Sequence, residues 1–472
     1  MSKVAYTNVP QNQHDDDENL QDNDSLEIAR LDSFDYETQD ITIDHEDTLE
    51  DLETFQLPNL NGSNLKMAFM NMANSILGAG AIGVPFAISN TGILGGIIAL
   101  IILTILVDFT LRLIIINMKL AGKNGYQETV DHCFGKWGKV LIIAAQGLFA
   151  YGGSIGFCII IGDTIPHILR SFFPNYADNG FLRFLFARNT IIILVTAFIS
   201  FPLSLSKDIS KLAKASALAL VSMLVIITVV LVRGPMLPAE SKGTLTTEYF
   251  LIRPSFFQGV SVISFALVCH HNTAYIFHSL KKPSLNRFSL LTHLSCLVSL
   301  VALALIGFGG FGAFKSATKG NVLNNFPGND LVVNIARFCF GFNMLTTYPL
   351  EIFVLRDVLR DLWYINQESA PPMTYKSHFL YTLVLVIFTM GISLMTCNLG
   401  ALFELIGAST ASAMAYIIPP MCHLKMTGSS KTWLQKSPYI GTIAFGFAVM
   451  FISSTQTIIA AVKQKDSSHC AV

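Results

Sequence analysis

The sequence predicts an all-α polytopic membrane protein with eleven transmembrane helices. Of its 472 residues, 52% are hydrophobic and only 13% are charged, whereas soluble domains have about a quarter charged residues. Apolar runs long enough to cross a bilayer, about 20 residues each, follow one another through most of the chain. These runs lack the alternation of polar and apolar residues that marks the strands of a membrane barrel. The composition therefore excludes most soluble globular proteins.

The predicted spans follow the apolar runs in chain order. The fourth is the shortest and contains a proline at position 202, which is tolerated in a membrane helix when neighbours satisfy the freed backbone groups. The spans are Met67–Ile88, Ile93–Ile116, Val140–Ile168, Thr190–Leu205, Leu212–Val232, Phe256–Leu280, Phe288–Phe311, Leu331–Leu355, Phe379–Cys397, Leu402–Cys422 and Ile440–Val462.

The first sixty residues differ from the rest of the chain. They contain seventeen Asp or Glu residues against Lys3 and Arg30, a net charge of −15, while the other 412 residues carry a net charge of +14. The formal net charge of −1 is thus a cancellation. A polar, acidic segment without helical periodicity cannot bury enough apolar surface to fold alone. We predict a disordered acidic tail at residues 1–60 and a transmembrane domain at residues 61–472.

The distribution of basic residues predicts the orientation. Loops on the side of the N-terminus carry 16 Lys or Arg residues, and those on the other side carry 10. Cytosolic loops of membrane proteins are enriched in Lys and Arg. The N-terminal tail is therefore predicted to be cytosolic.

Three glycines and a proline interrupt the first span, where Gly78, Gly80 and Gly83 are followed by Pro85. Glycine permits unwinding, and proline leaves a carbonyl without its helical donor. Unwound backbone at membrane depth is tolerated where it lines a cavity, and its free N–H groups then bind carboxylates. The alternative interpretation is close packing of helices through small residues.

Polar residues interrupt the sixth span at Cys269-His270-His271-Asn272. Polar groups inside a membrane usually face a cavity or a partner, so the segment indicates substrate binding or proton handling. Two neutral histidines hydrogen-bonded within the bundle are the alternative. Breaks five spans apart point to two inverted repeats of five helices with the site between them, and the eleventh span then lies outside the repeat.

Other polar residues in the spans are candidates for binding the coupling ion. Thr346 and Thr347 stand beside Pro349, and Asn71 lies in the first span, so hydroxyl and amide oxygens are available for a cation. Glu404 in the tenth span is a buried carboxyl suited to carrying a coupled proton. Hydrogen bonding between helices is the structural alternative for Asn71, Thr346 and Thr347. For Glu404 the alternative is a protonated or capped structural acid near the start of a helix.

Two further groups are interpreted as structural. Asp108 and Arg112 are four residues apart on one helix face and are expected to neutralise each other, with a gating role as the alternative. The glycines of the third span at Gly152, Gly153 and Gly156 are expected to serve helix packing.

Several motifs in order resemble the amino acid/auxin permease family. The resemblance covers residues 67–462 and is strongest to the fungal vacuolar amino acid transporters, with similarity also to the sodium-coupled neutral amino acid transporters. The motifs are Asn74-Ser75-Ile76-Leu77-Gly78-Ala79-Gly80 running into Gly83-Val84-Pro85, then Cys269-His270, Thr346-Thr347-Tyr348-Pro349-Leu350-Glu351, and Leu405-Ile406-Gly407-Ala408 leading to Pro419.

The resemblance implies a leucine-transporter-like fold, a 5+5 inverted repeat plus one extra helix, and amino acid transport by alternating access. It implies that Gly78, Gly80 and Gly83 offer backbone to the substrate carboxylate, and that Asn74 and Thr346 or Thr347 match cation positions of the sodium-coupled members. The fungal relatives imply proton coupling instead. The substrate-binding set predicted from all these features is Asn74, Gly78, Ala79, Gly80, Gly83, Cys269, His270 and Asn272, and the ion-coupling set is Asn71, Thr346, Thr347 and Glu404.

The expected function is secondary active transport of amino acids across an intracellular membrane. Neutral amino acids are the expected substrates. The vacuolar membrane is expected, with the endoplasmic reticulum and the plasma membrane as alternatives. The expected partners are an amino acid substrate, a coupling cation and the lipid bilayer, with no nucleic acid, no metal, and no cofactor other than a proton or sodium gradient. The alternative functions are an amino acid sensor that signals through its tail and a sodium-coupled symporter; an enzyme is not expected.

Overall fold

The computed structural model describes residues 62–206, 216–367, 371 and 373–463. Over these residues the chain consists of helices joined by loops, with one isolated bridge between Ser63 and Leu280. The predicted tail lies outside the described residues. The helices of the first half are α1 Leu65–Ile76, α2 Val84–Thr91, α3 Ile93–Leu120, α4 Tyr126–Phe172, α5 Gly180–Leu185, α6 Arg188–Ser204 and α7 Ser216–Met236.

The second half begins with a helix that is interrupted in the same way as the first. A short 3-10 turn, His270–Asn272, separates its two parts. The helices are α8 Phe256–Leu267, α9 Thr273–His278, α10 Leu285–Phe314, α11 Leu331–Trp363, α12 Tyr375–Met395, α13 Leu399–Thr427 and α14 Trp433–Ala460.

Each predicted span coincides with one helix or one broken pair. Among the described residues nine helices are long and apolar enough to cross a membrane, and the pair Leu65–Ile76 with Ala79–Thr91 makes a tenth. The fourth predicted span corresponds to α6, which is apolar but shorter than the others. The protein is thus an all-helical membrane protein, as predicted. Large side chains such as Ile105, Leu148 and Phe388 cover its outer surface and are 62%, 59% and 60% exposed.

Local sequence explains where the helices begin and bend. Asn64 caps α1, its Oδ1 accepting a hydrogen bond from the Met67 N–H at 2.9 Å. Gly92 separates α2 from α3 with a φ of +79°, a conformation that favours glycine. Gly135 has a φ of +65° and kinks α4, so the first part of this helix takes a different direction from the span that follows.

Buried ions are paired inside the bundle. Arg188 at the start of α6 donates from Nε to Asp163 Oδ1 on α4 over 3.2 Å, and both side chains are 5% exposed. Its guanidinium also donates to the carbonyl oxygens of Ser393 and Thr396 at the end of α12. The predicted pair of Asp108 and Arg112 is confirmed, with 2.9 Å between Oδ2 and Nη2.

The buried arginines correct part of the orientation argument. Arg356 and Arg188 were counted as loop residues, but both lie inside helices and are 2% and 5% exposed. Each belonged to the count of a different side, so the difference between the two sides is unchanged. The orientation stays a prediction.

Candidate functional site

The first span is broken between α1 and α2, as predicted. Helix α1 ends at Ile76, Gly78 has non-helical dihedrals (φ −80°, ψ −147°), and a 3-10 turn at Ala79–Gly83 leads into α2. The two halves are bent by 41°. Pro85 stands in the first turn of α2, where its missing N–H costs nothing and its fixed φ suits the new helix.

The later break lies between α8 and α9. Helix α8 ends at Leu267, Val268 is extended (φ −79°, ψ 117°), and α9 begins at Thr273 after the 3-10 turn. The two breaks lie side by side, since a Cβ added to Gly80 would come within 2.5 Å of the Ala266 Cα. The interruptions that the sequence predicted in the two spans therefore meet in the middle of the bundle.

A cavity of about 690 Å³ lies between the two breaks and the helices α4 and α11. This volume falls within the range of about 300–1,000 Å³ that is typical of small-molecule sites. The cavity reaches the end of the bundle, where Asn124, Ser279 and Asp361 contribute to its lining. It is therefore a site at mid-depth with a path toward the loops that follow α3 and α9.

Backbone forms one wall of the cavity, at Gly78, Ala79 and Gly80. The first N–H groups of a helical segment have no intrahelical partner, and the segment's dipole is positive at that end. Such a start binds carboxylates and phosphates. A Cβ on Gly78 would meet no atom within 4 Å, so the backbone at this residue borders open space.

Asn272 joins the two broken spans. Its Nδ2 donates to Ser75 Oγ on α1 at 3.1 Å and to Nε2 of its neighbour His271 at 2.9 Å. His271 Nε2 also lies 3.9 Å from Glu351 Oε1 on α11. A polar strip therefore crosses the cavity from α1 through the second break to α11.

Three buried polar atoms on the cavity wall have no hydrogen-bond partner among the described residues: Asn71 Oδ1, His271 Nδ1 and Glu351 Oε2. Leaving a buried polar atom unpaired costs about 1–3 kcal/mol. Such atoms in a cavity are suited to binding a ligand that supplies the missing partner. Asn71 Oδ1 and Glu351 Oε2 thus offer acceptors for an ammonium group, a cation or a proton, on the same cavity as the backbone of the first break.

The structure places seven of the predicted site residues on the cavity wall and five elsewhere. Those on the wall are Asn71, Asn74, Gly78, Ala79, Gly80, Asn272 and Thr347. Those elsewhere are Gly83, Cys269, His270, Thr346 and Glu404. A Cβ on Gly83 would lie 3.0 Å from the Phe403 ring, so this glycine packs against α13.

Cys269, His270 and Thr346 are turned away from the cavity. Cys269 and His270 are fully buried, and His270 Nε2 lies 2.9 Å from Thr110 Oγ1 on α3. The hydroxyl of Thr346 donates to the carbonyl oxygen of Asn343 on its own helix at 2.9 Å. His270 thus joins the second break to α3, and none of the three side chains lines the open volume.

Glu404 lies in a separate buried cluster. Its carboxylate accepts hydrogen bonds from Asn90 Nδ2 at 3.2 Å, Gln258 Nε2 at 3.4 Å and Thr457 Oγ1 at 3.0 Å. The side chain therefore ties together α2, α8, α13 and α14. These contacts favour a structural role for Glu404, which the sequence left open as an alternative.

Sequence reasoning assigned no site role to most of the other residues of the wall, among them His271, Gln146 and Gly153. Glu351 flanks Pro349 together with the two threonines but was left out of the ion-coupling set, although it follows Thr347 by four residues and so shares its helix face. The choice between His270 and His271 depends on how the chain turns through the break, which the sequence does not specify. Gly153 was expected to pack, but a Cβ there would meet no atom within 4 Å, whereas Gly152 does pack against Ile406.

Comparison with known proteins places this architecture among transporters. The family described as "Transmembrane amino acid transporter protein" matches residues 61–459, a range that contains every residue lining the cavity. The chain is 53% identical to vacuolar amino acid transporter 2 of Saccharomyces cerevisiae over 438 aligned residues. The alignment spans 92% of this chain and 90% of that protein.

Animal proteins are similar at a lower level. The Danio rerio protein named "Putative sodium-coupled neutral amino acid transporter 11" is 33% identical over 413 residues, or 87% of this chain and 89% of that protein. The Homo sapiens protein of the same name is 31% identical over 372 residues, or 76% and 88%.

Proposed function

Because this chain belongs to the transmembrane amino acid transporter family, we propose that it is a secondary active transporter that moves amino acids by alternating access. The observation that carries the proposal is the cavity between the two broken spans. Its wall combines the backbone at Gly78–Gly80 with the unpaired acceptor Asn71 Oδ1. An amino acid has a carboxylate and an ammonium group at a fixed separation, which such a wall recognises together.

The arrangement that we propose has eleven transmembrane helices, with α6 as the fourth. The two breaks then stand in the first and sixth spans, which supports a leucine-transporter-like 5+5 inverted repeat with α14 as the extra helix. With the N-terminus cytosolic, the cavity opens toward the cytosol in the conformation described.

We propose the vacuolar membrane and proton coupling for this chain, with neutral amino acids as substrates. The support for the membrane is the name of the yeast relative. Proton coupling rests on the resemblance to the fungal transporters, and the animal relatives, whose name gives sodium coupling, are less identical to this chain. Sodium coupling through Asn71, Thr346 and Thr347 is the rival. Both threonine hydroxyls donate to the carbonyl oxygen of Asn343 and so keep their oxygen lone pairs available, but only Thr347 lines the cavity.

The test is transport by the purified full-length protein in liposomes. Counterflow of each of the twenty amino acids measures exchange without any gradient, and a pH gradient with or without sodium then measures coupling. We expect exchange of neutral amino acids and accumulation driven by the pH gradient alone. Absence of exchange for every amino acid would refute the transporter function, and a requirement for sodium would refute proton coupling.

A further inference from the structure

We propose that Glu351 and His271, facing each other on the cavity wall, form the site that binds the coupling proton, with Glu351 as its carrier. The inference rests on the proposed transport function and assigns its energy coupling to residues. Glu351 thereby replaces Glu404, the proton carrier predicted from the sequence. The Glu404 carboxylate already accepts three hydrogen bonds, whereas Glu351 has an unpaired oxygen.

No hydrogen atom joins His271 Nε2 to Glu351 Oε1 when the carboxyl is ionised. Asn272 Nδ2 donates to His271 Nε2, so this nitrogen carries no hydrogen that it could give to Glu351. Glu351 Oε1 lies 3.9 Å from the same nitrogen and is also without a hydrogen when the carboxyl is ionised. The ionised carboxylate therefore has no donor in His271 Nε2. One proton added to Glu351 removes the charge and the repulsion between the two groups.

Both members of the pair are well buried. The His271 side chain is 5% exposed and the Glu351 side chain 14%, and the Phe149 ring centroid lies 5.0 Å from that of His271. Glu351 Oε2 and His271 Nδ1 have no partner within the part of the chain that the structure describes. A proton bound here is thus reached from the cavity and is sheltered from the lipid.

The surrounding charges do not neutralise Glu351. Among the described residues that line the cavity there is no Lys or Arg. The other titratable groups on the wall are Tyr126 and Glu128 from α4, Tyr275 and His278 from α9, and Asp357 and Asp361 from α11 itself. Of these, Asp357 Oδ1 lies 3.9 Å from Arg360 Nη2, and Asp361 Oδ1 lies 3.9 Å from Arg360 Nε. The part of the wall formed by α1 contributes neutral amides.

The pair couples the proton to closure of the cavity. Closing the cavity removes water from Glu351, and an uncompensated carboxylate at membrane depth strongly opposes that step. A proton from the water in the cavity binds the carboxylate, gives a neutral carboxylic acid and allows closure. It is released to water when the cavity opens on the other side, so one proton accompanies each amino acid and no other bond changes.

The test separates exchange from accumulation in liposomes that contain the full-length protein. We expect Glu351→Gln to keep counterflow within about threefold of the wild type, because the amide resembles the protonated acid. The same variant should accumulate no amino acid in response to a pH gradient. Glu351→Asp should restore accumulation in part, since it returns a titratable group. Asp131→Asn, which removes an exposed carboxylate from α4 outside the cavity, is the matched control and should behave as the wild type.

Each other outcome overturns the proposal. Accumulation by Glu351→Gln would place the proton elsewhere, and loss of coupling in Glu404→Gln alone would return it to that residue. Loss of counterflow in Glu351→Gln, with a normal elution profile, would show that Glu351 binds the substrate ammonium instead. Absence of counterflow in the wild type would refute the proposed function itself, and this result is distinct from all the others.

Discussion

Gly78 and Gly80 stand two residues apart in the first break, and their surroundings differ. A Cβ on Gly78 points into open space, whereas one on Gly80 would come within 2.5 Å of the Ala266 backbone. Both were predicted to offer backbone to a carboxylate. The structure indicates that Gly78 keeps the cavity open and that Gly80 lets the two broken spans approach.

Substituting each glycine by alanine separates the two roles. Gly78→Ala should weaken apparent substrate affinity about ten- to hundredfold, because the methyl group obstructs a charge-assisted hydrogen bond of about 1.5–3 kcal/mol. Gly80→Ala should lower the free energy of unfolding by about 1–3 kcal/mol through overpacking. Concentration-dependent uptake and thermal unfolding in detergent measure the two effects. Equal thermal stability of the two variants would contradict this assignment.

At the level of single residues, the sequence predicted where the backbone unwinds. It did not predict which side chains point into the cavity. Glycines and a proline mark unwinding by their own chemistry, so the break at Gly78–Gly83 was predictable. The direction of His270 and His271 was not, because neighbours point to different sides and the local twist decides which faces the cavity. Glu404 was attractive as a buried carboxyl, but its three donors come from helices that are distant in sequence.

Among the helices, α4 shows how one residue sets a boundary. The sequence predicted a span from Val140, whereas the helix begins at Tyr126 and kinks at Gly135, where φ is +65° and ψ is −165°. This region of backbone conformation is accessible essentially only to glycine. Hydropathy detected the apolar part of the helix after the kink, and the polar part before it carries no apolar signal.

Substitution of Gly135 by alanine tests the kink in α4, and the same substitution at Gly441 is its control. Gly135→Ala should lower the free energy of unfolding by about 1–3 kcal/mol, because alanine is strained at this φ and ψ. Gly441→Ala adds the same methyl group inside α14, where no φ is positive and no atom lies within 4 Å of the new Cβ. It should stabilise the protein by about 0.5–1 kcal/mol. Thermal unfolding of both variants provides the measurement, and a stabilising Gly135→Ala would argue against the kink.

At the scale of the whole molecule, the cavity is acidic although the transmembrane domain is basic. Glu128, Glu351, Asp357 and Asp361 line it, and the described lining contains no Lys or Arg. Two charges 8 Å apart interact by about 2 kcal/mol at an effective dielectric constant of 20. The positive residues that orient the chain are therefore kept out of the substrate path.

This charge predicts selectivity against acidic amino acids. Asp and Glu should compete with labelled neutral substrate at least about tenfold less well than Asn and Gln, which have the same shapes, since about 1.4 kcal/mol of repulsion gives that factor. The measurement is inhibition of counterflow at neutral pH. Equal competition by Asp and Asn would show that the carboxylates do not act on the substrate.

The tail gives the last prediction. The described residues that line the cavity lie between positions 71 and 361, and we expect deletion of residues 1–60 to leave counterflow and pH-driven accumulation unchanged. The deleted segment carries a net charge of −15. A sensor that signals through this segment would keep amino acid binding and lose a cytosolic partner, which co-purification with and without the tail detects. Loss of transport on deletion would instead assign the tail a part in the transport cycle.

The buried pair of Asp163 and Arg188 has a consequence for how the chain enters the membrane. An arginine opposes insertion of a transmembrane segment, by about 2.5–3.5 kcal/mol when it lies at the helix centre. Arg188 is the first residue of α6, so its cost is smaller, but α6 is also the short span. Its carboxylate partner precedes it by 25 residues, whereas the carbonyls of Ser393 and Thr396 follow by more than 200. During synthesis α6 therefore meets its counter-ion at once, and α4 and α6 can insert as a neutral hairpin long before α12 leaves the ribosome.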